Sequence, residues 1–327
     1  MKLLDCFLLK EVSRYGSQIV MSKYKGQICL LLAAIIWGSA FIFQKMGMDH
    51  IGPFTFGIFR FTLGSLALLP VIWIYAGINK RKPLEKRTYI TPWADKELLL
   101  GGFLCGAASF VAGSLQQIGI VYTTAGKAGF ITSMDIVIVP IILLFMRRKI
   151  EKWTWLGIAF AFIGLWMLCM TEQFTIAKGD AFVIGCAVVY SIQILLIDHY
   201  AERVDVLKLS FIQFFLSGIM SIPFAVMTET IEMQAIIDCA GPILYTAFLE
   251  VSIAFTLQIV GQKYTSPAPA TIIISLESVF AALCGALFLQ ETMTGRELTG
   301  CIIMFVAFII AQIPEMRNSD DGSEVTI

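Results

Sequence analysis

The stretch that decides the fold is YTSPAPATIIISLESVFAALCGALFLQE, at residues 264–291. An earlier stretch, YTTAGKAGFITSMDIVIVPIILLFMRRK at 122–149, matches it with a shift of 142 residues, which places Asp135 on Glu277. Each stretch begins with a polar turn and then stays apolar for about a membrane thickness, with one acid near the middle. A repeated membrane helix with a buried acid is a hypothesis for a functional site.

The composition is that of a membrane protein. The 327 residues are 57% hydrophobic and 15% charged, against about 25% charged in soluble domains, and the mean hydropathy is +0.80. Apolar runs of about 20 residues recur along the chain, are too long for barrel strands and do not alternate. We therefore predict an all-α membrane protein with ten transmembrane helices, at 27–46, 54–76, 98–118, 126–146, 153–171, 180–198, 207–227, 242–261, 268–289 and 297–314.

The basic residues predict the orientation of these spans. With the N-terminus in the cytoplasm, 19 of the 24 lysines and arginines fall on the cytoplasmic side, many of them in the loop 77–97. Four fall on the other side, and Arg60 lies within a span. Positive charge marks the cytoplasmic side, so we expect a multi-pass protein of the plasma (cytoplasmic) membrane with both termini in the cytoplasm.

The repeat extends over the whole membrane region. A shift of 153 residues places Trp37 on Tyr190 and Pro70 on Pro223, so spans 1–5 match spans 6–10. Five is an odd number, so the two halves are expected to have opposite orientations, as in secondary transporters with a site near the midplane. The predicted segments are a cytoplasmic N-terminal segment, two five-helix repeats and a cytoplasmic tail, at 1–25, 26–171, 179–314 and 315–327.

The N-terminal segment is polar and lacks the continuous apolar core and the cleavage site of a signal peptide. Met21 begins MSKYKGQ directly before the first span. Both Met1 and Met21 therefore stay open as the true start.

Several residues resemble those of a known family. WGSAFI at 37–42, Arg60 early in span 2, SLESVFAAL at 275–283 and LQET followed by GRELTG are similar to the EamA-type ten-helix transporters of the drug/metabolite transporter (DMT) superfamily. The resemblance covers about 26–313, and departs from the family at Ser278, where the family usually has proline. It implies a transporter, and export of amino acids or related metabolites.

Four charged residues lie deep inside predicted spans. Arg60, Asp135, Glu250 and Glu277 lie about 9–14 Å from a span end at 1.5 Å per residue. A charge at that depth costs several kcal/mol or more without a partner or a polar cavity. A structural ion pair accounts for one acid at most, because three acids face one base. We therefore expect that one or two acids hold a proton at neutral pH or are neutralised by a cationic group of the substrate.

Polar and aromatic residues in the spans give a candidate lining for a solute path. In a bilayer such amides either join helices by hydrogen bonds or face water and solute, and the aromatic pair has packing as its alternative role. The candidate substrate-binding residues are Trp37, Ser39, Gln44, Arg60, Gln116, Ser133, Asp135, Tyr190, Gln193, Glu250, Gln258 and Glu277.

The sequence gives no support to an enzyme, a cofactor or a metal site. The segment GIVYTTAGKA at 119–128 has the wrong glycine spacing for a phosphate loop, and no HExxH, GxSxG or Cys/His cluster occurs. The eight cysteines lie mostly inside apolar runs and are interpreted as small buried hydrophobes. The net charge is zero, and no basic region suggests nucleic acid as a partner.

The predicted function is secondary active transport, with export expected, of a small organic metabolite such as an amino acid, by alternating access. Because the sequence carries no nucleotide-binding motif, we expect an ion or solute gradient to supply the energy. Coupling to protons is a hypothesis. The alternative is a membrane receptor or assembly subunit that transports nothing. The partners expected are the lipid bilayer and the metabolite, and both a monomer and a homodimer stay open.

The predicted topology has a direct test. A cysteine introduced at Lys86 should be labelled by a membrane-impermeant maleimide only after lysis, and one introduced at Met233 should be labelled in intact cells. Labelling of both positions from the same side would contradict the inverted repeat.

Overall fold

A computed structural model describes residues 2–81, 90–123, 125–169, 178–288 and 293–320. Outside this part of the chain lie residues 82–89 of the predicted basic loop, with Lys82, Lys86 and Arg87, the whole LQET motif at 289–292 and the last seven residues. Every regular element within it is helical, so the predicted all-α class is confirmed. The α-helices are α1 Lys2–Met48, α2 Pro53–Arg81, α3 Lys96–Tyr122, α4 Ala125–Thr132, α5 Asp135–Phe145, α6 Lys152–Cys169, α7 Lys178–Ala201, α8 Val206–Thr228, α9 Met233–Asp238, α10 Ala240–Tyr245, α11 Phe255–Gln262, α12 Pro267–Ile274, α13 Glu277–Phe288 and α14 Gly295–Asp320.

Eight helical stretches of the described chain are long and apolar enough to cross a membrane, and Lys152–Leu168 is a shorter apolar helix. Helix α14 packs along α6. The count of ten spans stays a prediction. Helix α1 begins at Lys2 instead of near residue 27, because residues 2–23 contain no proline to end it.

The distribution of polar groups is that of a bundle in lipid. Large apolar side chains such as Trp73, Phe145 and Val226 are more than half exposed on the outside. Polar side chains such as Gln213 and Ser217 are fully buried between helices. An extensive apolar exterior marks a surface that contacts other apolar matter, which for spans of this length is the bilayer.

The two halves pack on each other in a reciprocal way. Helix α7 crosses α3 at Gly179, where an added Cβ would lie 2.5 Å from the carbonyl oxygen of Gly119. Helix α1 crosses α11 at Gly26, where an added Cβ would lie 3.0 Å from the carbonyl oxygen of Gly261. Gly26 matches Gly179 with a shift of 153, and Gly119 matches Gly261 with a shift of 142. The same contact is therefore made twice, once from each half.

Predicted spans 4 and 9 are each two helices, which corrects the expectation of single helices. In span 4 the Ile136 amide donates to the Ser133 carbonyl, and in span 9 the Ser278 amide donates to that of Ser275, both at 3.2 Å. These bonds join residues three apart, as in a 3₁₀ turn, and interrupt the α-helix at matching places. Pro140 lies inside α5, beyond the break, and its missing amide hydrogen leaves the Ile136 carbonyl without its α-helical donor.

Predicted span 8 also departs from a regular α-helix. Between α10 and α11 lies a π-helix, Thr246–Ala254, with Glu250 near its middle. The Ser252 hydroxyl donates to the Gly64 carbonyl of α2 at 2.6 Å, which ties this wide segment to the other half. π-Helical turns are rare and are frequent at functional sites.

The glycine crossing predicts a specific loss of stability. Replacing Gly179 by alanine puts the new Cβ against the backbone of α3, which cannot yield without moving the helix. We expect destabilisation of about 1–3 kcal/mol, measured as a lower midpoint of thermal unfolding of the purified protein in detergent. The control Gly77→Ala adds a Cβ with no atom within 4 Å and should keep or raise the midpoint. Equal midpoints for the two variants would contradict the close crossing.

Candidate functional site

The two helix breaks position the repeated acids. Asp135 is the first residue of α5 and Glu277 is the first residue of α13. The break in span 4 lies between α4 and α5 and contains Ser133. The break in span 9 lies between α12 and α13 and contains Ser275. Because carboxylates are favoured at the first turn of a helix, the breaks provide sites for two acids inside the bundle.

A cavity lies where these elements meet α1, α7 and the π-helix. Its volume, counted with the space open to solvent that it includes, is about 490 Å³. Nine of the twelve predicted site residues line it, together with five others. The lining residues are Trp37, Phe41, Gln44, Gln116, Thr132, Asp135, Tyr190, Gln193, Ile194, Glu250, Phe255, Gln258, Ile274 and Glu277.

Most of this lining consists of pairs related by the internal repeat. Trp37 and Phe41 match Tyr190 and Ile194 with the shift of 153, so the first helix of each half contributes the same two positions. With the shift of 142 the further pairs are Gln116 with Gln258, Thr132 with Ile274 and Asp135 with Glu277. Matching positions of the two halves therefore line the same cavity.

Arg60 and Glu250 form a buried ion pair behind one wall. The Arg60 Nη1 atom lies 3.3 Å from Glu250 Oε1, and both side chains are at least 95% buried. Gln44 Nε2 donates to the same carboxylate oxygen at 3.0 Å. The Arg60 guanidinium carbon lies 4.5 Å from the centre of the Phe61 ring. Arg60 is thus compensated by one acid, and it does not line the cavity.

The other two acids lie near each other without a base. Ser133 is within hydrogen-bonding reach of the Glu277 carboxylate, and its hydroxyl is 3.1 Å from that of Ser278. Asp135 is 95% buried, and its Oδ1 atom has no hydrogen-bond partner among the described residues. The Asp135–Glu277 pair therefore presents a local excess of negative charge to the cavity.

The remaining predicted residues differ in their contacts. Gln116 Nε2 donates to the Thr132 hydroxyl at 3.4 Å, and Gln193 Nε2 donates to Ser109. Each of these amides joins helices and lines the cavity at the same time. Ser39 does not line the cavity, because its hydroxyl donates to the Ile36 carbonyl and contacts the Tyr245 hydroxyl.

Trp37 packs against a neighbouring ring and also lines the cavity. Its ring packs edge-on against Phe255, with ring centres 4.8 Å apart. Its Nε1 atom is buried without a hydrogen-bond partner in the described part of the chain. A packed indole with an unused donor is suited to contact a solute that enters the cavity.

Five lining residues were not predicted from the sequence: Phe41, Thr132, Ile194, Phe255 and Ile274. Four of them are apolar and looked like ordinary membrane-span residues. The repeat itself carried the missing signal, since Phe41 lies one helical turn after Trp37 and Ile194 one turn after Tyr190.

Among the described residues no group of three or more His, Cys, Asp and Glu side chains has the arrangement of a metal site. The cavity offers carboxylates, amides and aromatic rings, and no reactive thiol or hydroxyl next to a base. These groups are suited to binding and releasing a solute.

Comparison with known proteins places the chain among transporters. A sequence model of the EamA-like transporter family matches residues 24–170 and again residues 177–312. An uncharacterized transporter of Archaeoglobus fulgidus is 33% identical over 305 residues, covering 92% of this chain and 90% of the relative. The uncharacterized transporter YetK of Bacillus subtilis is 24% identical over 327 residues, covering 95% of each chain.

A solved crystal structure shares the fold. It superposes with a TM-score of 0.69 at 15% identity, covering 89% of this chain and 98% of its own. The predicted resemblance is confirmed: the chain belongs to the EamA-like transporter family of the DMT superfamily.

Proposed function

We propose that this protein is a secondary active transporter that exports a small organic metabolite from the cytoplasm by alternating access. The observation that carries the proposal is the cavity lined by matching positions of the two halves, at the breaks of two matching helices. Secondary transporters built from inverted repeats bind their substrates at such broken helices near the membrane midplane.

In this proposal the ten spans form two inverted five-helix repeats with both termini in the cytoplasm. Rocking of one half against the other exposes the cavity to each side in turn. The reciprocal glycine crossings keep the backbones of the two halves in contact during the motion. A gradient supplies the energy, because the sequence has no phosphate-binding loop of the GxxxxGK[ST] type.

The aromatic pair provides the first functional test. Trp37→Ala and Tyr190→Ala should each lower solute flux per folded molecule about two- to tenfold, because an aromatic contact is worth about 0.5–1.5 kcal/mol. The measurement is efflux of a labelled metabolite pool from proteoliposomes that hold equal amounts of folded protein.

Trp73→Ala is the matched control, since this tryptophan is 67% exposed on the apolar exterior. Its flux should equal that of the wild type. Wild-type flux in both cavity variants would make Trp37 and Tyr190 packing residues only. No flux of any metabolite through the wild type would favour the receptor or assembly-subunit alternative.

We further propose that protons compensate the buried acids between transport steps. The groups that face one another here are Asp135, Glu277, the Arg60–Glu250 pair and the side chains of Tyr190 and Cys186. With Arg60 and Glu250 neutralising each other, ionised Asp135 and Glu277 would leave a charge of −2 in the bundle. Burial disfavours such a state unless protons or a solute cation compensate it.

The proton hypothesis predicts a change in the pH profile of transport. Asp135→Asn and Glu277→Gln remove the two carboxylates without changing their size, so at least one variant should lose the dependence of flux on external pH. Asp198→Asn removes a carboxylate that pairs with Arg148 at 3.0 Å outside the cavity and should keep the wild-type profile. Wild-type rates and profiles in both cavity variants would favour a uniporter.

A further inference from the structure

We propose that the cavity selects an organic cation, with an ammonium group held between Asp135 and Glu277 and an apolar body against the aromatic wall. This inference rests on the proposed transport function and names the substrate class. The substrate class named here differs from the amino acids that the family resemblance implies.

The charge of the lining is one-sided. Three of the fourteen lining residues are acids, and none of the fourteen is a lysine, an arginine or a histidine. Glu250 has Arg60 as its partner at 3.3 Å, so its charge is already compensated. Asp135 and Glu277 have no such base among the described residues, and a solute cation would neutralise them.

The unused hydrogen-bonding groups point the same way. Among the lining residues, five buried oxygens have no hydrogen-bond partner within the described chain. Only one buried donor of the lining, Trp37 Nε1, has none. These oxygens are Asp135 Oδ1, Glu250 Oε2, Gln44 Oε1, Gln193 Oε1 and Gln258 Oε1. An ammonium group brings only donors, so it matches a surface made mostly of acceptors.

The helix breaks favour ionised acids at this place. Asp135 and Glu277 are the first residues of α5 and α13, where the dipole of each helix stabilises a negative charge. The Ser133 hydroxyl lies within reach of the Glu277 carboxylate. Both acids can therefore remain charged when a cation arrives.

The aromatic side chains accommodate the rest of such a solute. Trp37, Phe41, Tyr190 and Phe255 line the same cavity of about 490 Å³. Aromatic faces attract cations and also bury apolar groups. The cavity is thus suited to an amine with an aromatic or aliphatic body.

A zwitterion or an anion fits this site less well. The carboxylate of an amino acid would need a base, and Arg60 is engaged by Glu250 and lies outside the lining. A solute carboxylate would also lie close to three acids. Repulsion between these like charges in a buried site disfavours such a solute.

The test is binding of matched probes to the full-length protein in nanodiscs, measured by calorimetry. The probes are phenethylamine, its neutral relative 3-phenylpropanamide, the anion 3-phenylpropionate and the zwitterion phenylalanine. Phenethylamine should bind most tightly. Asp135→Asn and Glu277→Gln should each weaken it by at least about tenfold, as expected for the loss of one partner of a buried charge pair.

Two further variants separate charge from folding. Asp135→Glu keeps the charge and should keep most of the affinity for phenethylamine. Asp198→Asn, outside the cavity, should bind it as the wild type does. The proposal is overturned if phenethylamine does not bind, or if at least one of the other three probes binds as tightly. It is also overturned if both cavity variants retain wild-type affinity.

Failure of this inference differs from failure of the transport proposal. Flux of a neutral or anionic solute, without selective binding of the amine, would leave the transporter in place and remove the cation site. Selective binding of phenethylamine without flux of any solute would keep the cation site and remove the transporter.

Discussion

The constraint on which the structure depends is that a charge or an open backbone group inside hydrocarbon must find compensation. Arg60 meets it through Glu250 and Gln44. The interrupted helices meet it by turning inward, so that Ser133 and Ser275 lie in the protein interior, where they are 98–100% buried. The polar interior is therefore confined to one place, and the apolar exterior can face lipid all around it.

Much of this arrangement could be predicted from the sequence, because hydropathy and the repeat are carried by the side chains themselves. The repeat predicted the match of Asp135 with Glu277 and of Trp37 with Tyr190. The helix breaks could not be predicted, since an apolar run looks the same whether its backbone bonds join residues three or four apart. The pairing of Arg60 with Glu250 was also out of reach, because three acids competed for one base and only packing decides among them.

The two halves differ most where the function proposed here needs them to differ. The repeat gives the cavity matching walls, but the acid of the π-helix stands opposite Ala108 in the first half with the shift of 142. The arginine partner of that acid likewise stands opposite Gln213, whose buried amide has no partner among the described residues. One half therefore supplies the acid and the other the base of the internal ion pair.

The π-helix has a consequence for the register of the two halves. After it, Gln116 corresponds to Gln258 with a shift of 142. Near its start, Gly106 corresponds to Ala247 with a shift of 141, because their carbonyl oxygens face the matching positions Ser217 and Gly64. Span 8 thus contains one inserted residue, absorbed as a wide turn instead of about 100° of rotation of everything beyond it. One inserted residue thus gives span 8 a wide turn that α3, its match in the first half, does not have.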